Sequence, residues 1–161
     1  MNDDGRHDFD FWVGASWKGE NRKRVKPLIE GDDEWIEFEG WCEARPILGG
    51  LGNTDEFSAP NFPGRPGFEG FSLRLFEPET QLWRIWWAST VGTAQIDPPV
   101  AGRFENGIGR FECDEVIEGV AVRTRYEWKD ITPNSARWEQ SFSFDGGSTW
   151  DTNWTVQHTR V

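Results

Sequence analysis

Few side chains in this sequence have the makings of chemistry. His158 comes near the end, in "NWTVQHTRV". A neutral imidazole there can move a proton, orient a polar ligand or ligate haem iron. Asp97 precedes Pro98-Pro99, in a long loop placed to rim a barrel mouth, and Asp55-Glu56 follow the glycine-rich "LGGLGN". Acid–base catalysis needs such a group held beside a partner that shifts its pKa. Most of the 28 Asp and Glu fall in turns or on polar strand faces, where water solvates them. Ser, His and Asp all occur, but no nucleophile elbow frames a serine. His7 lies in the leading turn, far from His158, so no pair of histidines has metal spacing and no metal site is expected. The glycine stretch lacks the strand–GxGxxG–helix context of a dinucleotide site.

One motif is complete. "SFDGGSTW", residues 143 to 150, has Ser143, Asp145, Gly147, Thr149 and Trp150 at the fixed positions of S-x-D-x-G-x-T-W. This Asp-box pattern resembles that in the blades of sialidase β-propellers. A propeller blade takes about 40–50 residues, so 161 residues are too few for a propeller, and no second box occurs. Each residue of the box also has a local task. Asp145 can accept backbone N–H bonds as in an Asx-turn, and Gly146 and Gly147 open conformations closed to other residues. The box is therefore expected to be a turn, not a catalytic element.

The elements that must position these residues are strands. Eleven Trp and twelve Phe accompany one Tyr, one Met and 18 Gly, a balance that favours strands and turns over helices. A short helical turn is expected at "HDFDFWV", residues 7 to 13. Strands are expected near 15–25, 33–45, 51–59, 68–77, 81–89, 100–105, 108–117, 120–130, 135–144 and 148–160. Asn106-Gly107 suits a type I′ hairpin turn that pairs Glu105 with Ile108 and Arg103 with Arg110. About ten short antiparallel strands joined by hairpins make an all-β, up-and-down barrel the leading fold, with a sandwich as its competitor. No linker divides residues 1–161, which read as one domain.

Side-chain alternation gives the candidate lining. Trp83, Ile85 and Trp87 share a face. So do Val122, Thr124, Tyr126 and Trp128; Ala136, Trp138, Gln140 and Phe142; and Trp150, Thr152, Trp154, Val156, His158 and Arg160. These faces are taken as inward and their opposites as solvated. Strands 68–77 and 81–89 are apolar on both faces, so alternation cannot orient them, and an apolar outer face would suit a homodimer. Trp41, Trp87, Tyr126, Trp128, Trp138, Gln140, Trp154 and His158 are the candidate ligand-binding residues, because a site needs apolar walls with a few convergent polar groups. The same aromatics would equally fill a solid barrel.

The net charge of −11 disfavours nucleic acid as a partner. Cys42 and Cys113 are too few for a disulfide framework and are read as free thiols. "MNDDGRHDFDF" has neither the basic nor the apolar region of a signal peptide, and no apolar run is long enough to span a membrane. The expected location is the cytoplasm, with no membrane partner.

The chain ends carry a resemblance. "FDFWVGASWKG" and "NWTVQHTRV" resemble the ends of calycins, the lipocalins, fatty-acid-binding proteins and their relatives. In that superfamily a leading turn, a Gly and a Trp on the first strand are met by an Arg from the last strand. Gly14, Trp17 and Arg160 resemble this barrel-closing set, spaced Gly-x-x-Trp where calycins usually have Gly-x-Trp. A guanidinium over the indole closes one barrel end by a cation–π contact. "HDFDFWVGASWK", "ARPILGGLGNTDEF", "LRLFEPETQLWRIWWAS", "DPPVAGRFENGIGRF" and "WEQSFSFDGGSTWDTNW" resemble a group of bacterial lipocalin-like domains of unknown function. The resemblance implies a calycin-like barrel and no set activity. Nitrobindins, haem-binding relatives of calycins, place a proximal His late in the chain, and His158 resembles it in position. The leading expectation is binding of a small apolar or aromatic ligand, without a cofactor. The alternatives are an isomerase-, cyclase- or hydrolase-type enzyme using the same pocket, haem binding through His158, and a filled barrel serving as an interaction module.

Overall fold

The structure, a computed structural model, describes residues 4–92 and 94–161. Ten strands form one closed antiparallel ring: β1 (Ala15–Arg24), β2 (Trp35–Ile47), β3 (Gly52–Ala59), β4 (Phe68–Glu77), β5 (Leu82–Ser89), β6 (Val100–Glu105), β7 (Ile108–Ile117), β8 (Val120–Lys129), β9 (Ser135–Ser143) and β10 (Asp151–Arg160). Each strand pairs with the next, and β10 pairs back onto β1 from Trp17 with Arg160 to Lys23 with Trp154. This is the up-and-down barrel, not the sandwich. Among the described residues, no helix is long and apolar enough to cross a membrane.

Hairpin chemistry sets the register. Asn106 and Gly107 both take positive φ, 52° and 78°, as a type I′ turn requires. Glu105 consequently faces Ile108 and Arg103 faces Arg110. The leading turn is a 3₁₀ turn over Gly5–His7, earlier than the sequence suggests, and hydrogen-bonded turns carry the chain on to Gly14. A second 3₁₀ turn, Leu48–Gly50, joins β2 to β3.

The leading segment plugs one end of the barrel, called the floor below. Phe9 and Trp12 are each 1% exposed, and Trp17 is fully buried. Trp12 stacks on Trp17 at 4.9 Å, and Trp17 Nε1 donates to the Trp12 carbonyl at 3.0 Å. Phe9 meets Trp83, Phe104 and Trp128 edge-on. Such aromatic pairs add about 0.5–1.5 kcal/mol each beyond burial of area. Arg160 lies 4.9 Å over the Trp17 ring and donates to the carbonyls of Phe11 and Pro133. Gly14, at φ 73°, turns the chain into β1.

The Asp box links β9 to β10 at the opposite end, and its groups satisfy one another. Asp145 accepts from the Ser143 hydroxyl, the Thr149 amide and the Thr149 hydroxyl at 2.8, 2.9 and 2.6 Å. These bonds hold the Asp145 carboxyl down at about 2. The Gly147 amide donates to Ser143 Oγ at 2.8 Å. Arg125 covers the Trp150 ring at 4.1 Å.

Two features of the wall depart from simple alternation. A bulge on β10 between Thr152 and Trp154 lets one extra residue, Asn153, into the strand and reverses the faces on either side. Trp154, Val156 and His158 point inward. Thr152 bonds to Ser141 on the outer side, and Trp150 meets the outward Arg125. The sequence reading of one continuous face from Trp150 to Arg160 is corrected by this bulge. The outer face of β8 and β9 is also not simply solvated. Glu127 is only 8% exposed, with Arg110, Arg125 and Lys129 around it, while Lys129 and Arg137 hold Glu139. Strands β4 and β5 are oriented by the fold: Phe68, Ser72, Arg74 and Phe76 face in, as do Trp83, Ile85 and Trp87. Phe71 and Leu73 face out, opposite Ala88 and Trp86.

Candidate functional site

The barrel is hollow above its floor. A deep chamber of about 80 Å³ is lined by Trp12, Asn21, Cys42, Asp55, Phe57, Ser72, Arg74, Ile85, Val156 and His158, among others. Trp87, Tyr126, Gln140 and Trp154 line both this chamber and a wider outer hollow of about 570 Å³. The outer hollow opens between the β1–β2, β3–β4 and β5–β6 loops. Its volume lies within the roughly 300–1,000 Å³ of small-molecule sites. The deep chamber has room for a few waters or one small group.

Of the eight candidate ligand-binding residues, seven line the cavity: Trp87, Tyr126, Trp128, Trp138, Gln140, Trp154 and His158. Trp41 does not. It is 39% exposed, on the outer face of β2 between Glu39 and Glu43, while Phe38, Gly40, Cys42 and Ala44 face in. Its assignment to the site is therefore corrected. Trp138 meets Tyr126 and Trp154 edge-on at 5.2 and 5.6 Å, and Trp87 meets Trp154 at 6.4 Å. Asn21 accepts from Trp154 Nε1 at 3.0 Å, and Gln140 donates to the bulge residue Asn153 at 2.9 Å. Trp154 is thus held by a hydrogen bond and the other wall rings by their edge-on contacts.

The sequence reading missed a charged cross-brace inside the barrel. Arg74 of β4 and Asp55 of β3 are each 4% exposed, and Arg74 Nη1 lies 2.6 Å from Asp55 Oδ2. Trp12 Nε1 donates to the same carboxylate at 2.9 Å, and Arg74 also donates to Asn53 at 3.0 Å. The guanidinium lies over the rings of Phe9 and Trp128. Asp55 is thus held inside the barrel by Arg74 and Trp12. Alternation carried the signal, because Asn53, Asp55, Phe57 and Ala59 share one face of β3. The brace ties β3 and β4 to the plug, and its charges are spent on each other, which leaves Asp55 poorly placed as a general base.

His158 is 5% exposed, stacked on Trp128 at 5.6 Å and edged by Trp12 at 4.8 Å. Burial first, then the Arg74 charge, lowers its pKa to about 3. The ring is neutral at physiological pH, and among the described residues its buried Nδ1 has no hydrogen-bond partner. These surroundings do not fit a haem. Trp128 covers a face of the ring, Trp12 its edge, and the adjoining chamber is far too small for a tetrapyrrole. Among the described residues, no cluster of three or more His, Cys, Asp and Glu is arranged to hold a metal ion.

The outer hollow has charges on two walls. Asp97 and Glu115 lie on the side of Tyr126. Burial first, and then Glu115, raises the Asp97 carboxyl, so it holds a proton to higher pH than a free aspartate. Burial raises the Tyr126 phenol too, with the Asp97 charge second. The Tyr126 phenol can present a hydroxyl donor to a ligand. Lys23 lies on the other wall, its ammonium 4.7 Å over the Trp154 ring, with Arg65 nearby. Cys42 and Cys113 are free thiols. Burial, then Glu115, pushes Cys113 up to about 12, which makes it a poor nucleophile. The chain matches no family model, and no curated protein is similar to it.

Proposed function

We propose that this barrel binds a small, mainly apolar or aromatic molecule non-covalently in its hollow. The observation that carries the reading is a pair of adjoining hollows that share Trp87, Tyr126, Gln140 and Trp154 as walls, the deeper one reaching Trp138 and His158. Rigid aromatic walls give a flat ligand large contact area at little entropic cost. Tyr126 and Gln140 supply the polar contacts that orient it.

The first test is native mass spectrometry of freshly purified protein, set beside its denatured mass. A mass excess that disappears on denaturation is the expected result, and the same spectrum reports whether the particle is one chain or two. The second test uses the wall itself. A Cβ added at Gly70 would stand 2.0 Å from Trp87 Cη2, so Gly70→Ala must push the Trp87 indole out of place. The variant is expected to stay folded and to bind N-phenyl-1-naphthylamine about tenfold more weakly, a loss of about 1.4 kcal/mol. Unchanged probe affinity in Gly70→Ala, together with a bare native mass, would remove the reading.

A further inference from the structure

The outer hollow is lined by basic side chains without ion-pair partners among the described residues, Lys23 and Arg65 foremost. Lys23, near the upper end of β1, points inward in phase with Trp17, Gly19 and Asn21 and rests on the Trp154 ring. Arg65, in the β3–β4 loop, lies 5.6 Å from the centre of the Phe62 ring. Both side chains line the outer hollow, as do those aromatic rings. Among the described residues, neither Lys23 nor Arg65 has a carboxylate within ion-pair distance, although most of the other basic side chains do. That is an unusual arrangement in a chain with 28 acidic and 17 basic residues, where a nearby carboxylate is the easy solution.

Lys23 is half-buried and loses part of its water, while Arg65 stays exposed; the two like charges repel each other across the hollow, which costs free energy. The strain registers at Lys23, whose pKa burial and then Arg65 lower to about 8. Asp97 and Glu115 belong to the opposite wall, and neither is among the charges felt at Lys23. An anion between Lys23 and Arg65 would remove the repulsion and supply charge-assisted hydrogen bonds. The rings of Phe62, Phe68 and Trp154 lie directly below for an apolar body.

Resting on the binding reading above, we infer that the ligand is an amphipathic anion: its carboxylate, sulfonate or similar head lies between Lys23 and Arg65, and its apolar body runs down toward Trp87 and Trp138. The Tyr126 phenol and the Gln140 amide on the other side then meet any hydroxyl or carbonyl the ligand carries.

Two fluorescent probes with the same ring system separate the head from the body. 8-Anilinonaphthalene-1-sulfonate carries an anion, and N-phenyl-1-naphthylamine is the same molecule without it. The sulfonate is expected to bind wild-type protein about tenfold more tightly, the equivalent of one charge-assisted contact. Lys23→Met and Arg65→Met should each remove most of that advantage and leave the neutral probe within about twofold of wild type. Lys23→Glu should abolish sulfonate binding while the neutral probe still binds, which also shows that the variant is folded. Equal affinity of the two probes for wild type would overturn the anionic head and leave the apolar pocket standing. A sulfonate advantage that survives both Met substitutions would place the head elsewhere and likewise overturn it. Failure of both probes to bind would overturn the pocket reading together with the inference.

Discussion

Arg74→Met is expected to destabilise the protein by about 3–5 kcal/mol, since removing one partner of a buried ion pair leaves the other charge uncompensated. Asp55 would keep only Trp12 Nε1 as a strong donor in a space closed to bulk water. For a chain of this length that loss corresponds to a fall in Tm of about 10 °C. The brace also fixes the floor. Arg74 lies over Phe9 and Trp128, and Asp55 holds Trp12, so its loss frees the plug as well as a charge. The double variant Arg74→Met/Asp55→Asn is expected to recover much of the stability. It removes both charges and keeps an amide oxygen as acceptor for Trp12. Urea denaturation of wild type, both single variants and the double variant closes the cycle. A single-variant cost under about 1 kcal/mol, the range of exposed pairs, would contradict the account of the pair as buried and structural.

The second large effect is a loss of stability in mild acid, centred on His158. Its folded pKa lies near 3 and its unfolded value near 6.5, so between those values the unfolded chain binds the proton and the folded chain does not. Stability from this residue is fully present above pH 6.5 and is lost as pH falls toward 3. The slope is 1.36 kcal/mol per pH unit for one proton, which gives a loss of about 2 kcal/mol by pH 5. Arg74 is the charge that faces the ring, and its sign opposes protonation. The carboxyls held low, Glu77, Asp114, Glu127, Glu139 and Asp145, lose their contribution only below about pH 4.5, and Asp97, held high, acts with the opposite sign as pH falls, so a fall in stability between 6.5 and 4.5 is His158's. Urea midpoints for wild type should fall across that window, and those for His158→Gln should stay level. A level wild-type profile would show that the imidazole is not held neutral by burial.

Much of the barrel could be read from alternation, because the pleat puts every second residue on one side. The linings of β8 and β9 follow directly from Tyr126–Trp128 and Trp138–Gln140. The Asn106-Gly107 turn fixes its register through a conformational demand that few residue pairs meet. What escaped has equally physical causes. The bulge at Asn153 leaves no mark in "DTNWTV", since a bulge needs no particular residue, yet it puts Trp150 and Thr152 outside while Trp154, Val156 and His158 stay inside. Arg74 shares a face with Phe68 and Phe76, but an arginine argues for solvent until its partner is known, and that partner is on another strand. Asp55 hid for the same reason. Trp41 misled by its size, although its neighbours Glu39 and Glu43 already put it outside. The openness of the barrel was not legible at all, because the same aromatic side chains can fill a barrel or line one.

The ring closes only where β10 meets β1, and this has a consequence for biogenesis. Nine strands can pair as each leaves the ribosome, since every one lies beside its predecessor. The tenth alone must find a strand made at the start. Until it does, β1 and β9 present open edges that invite pairing with other chains, and the Trp17 ring lacks the Arg160 that covers it. The chain thus stays exposed to edge-to-edge pairing until its tenth strand is in place. Premature termination before residue 151 would leave a sheet with two sticky edges instead of a smaller barrel.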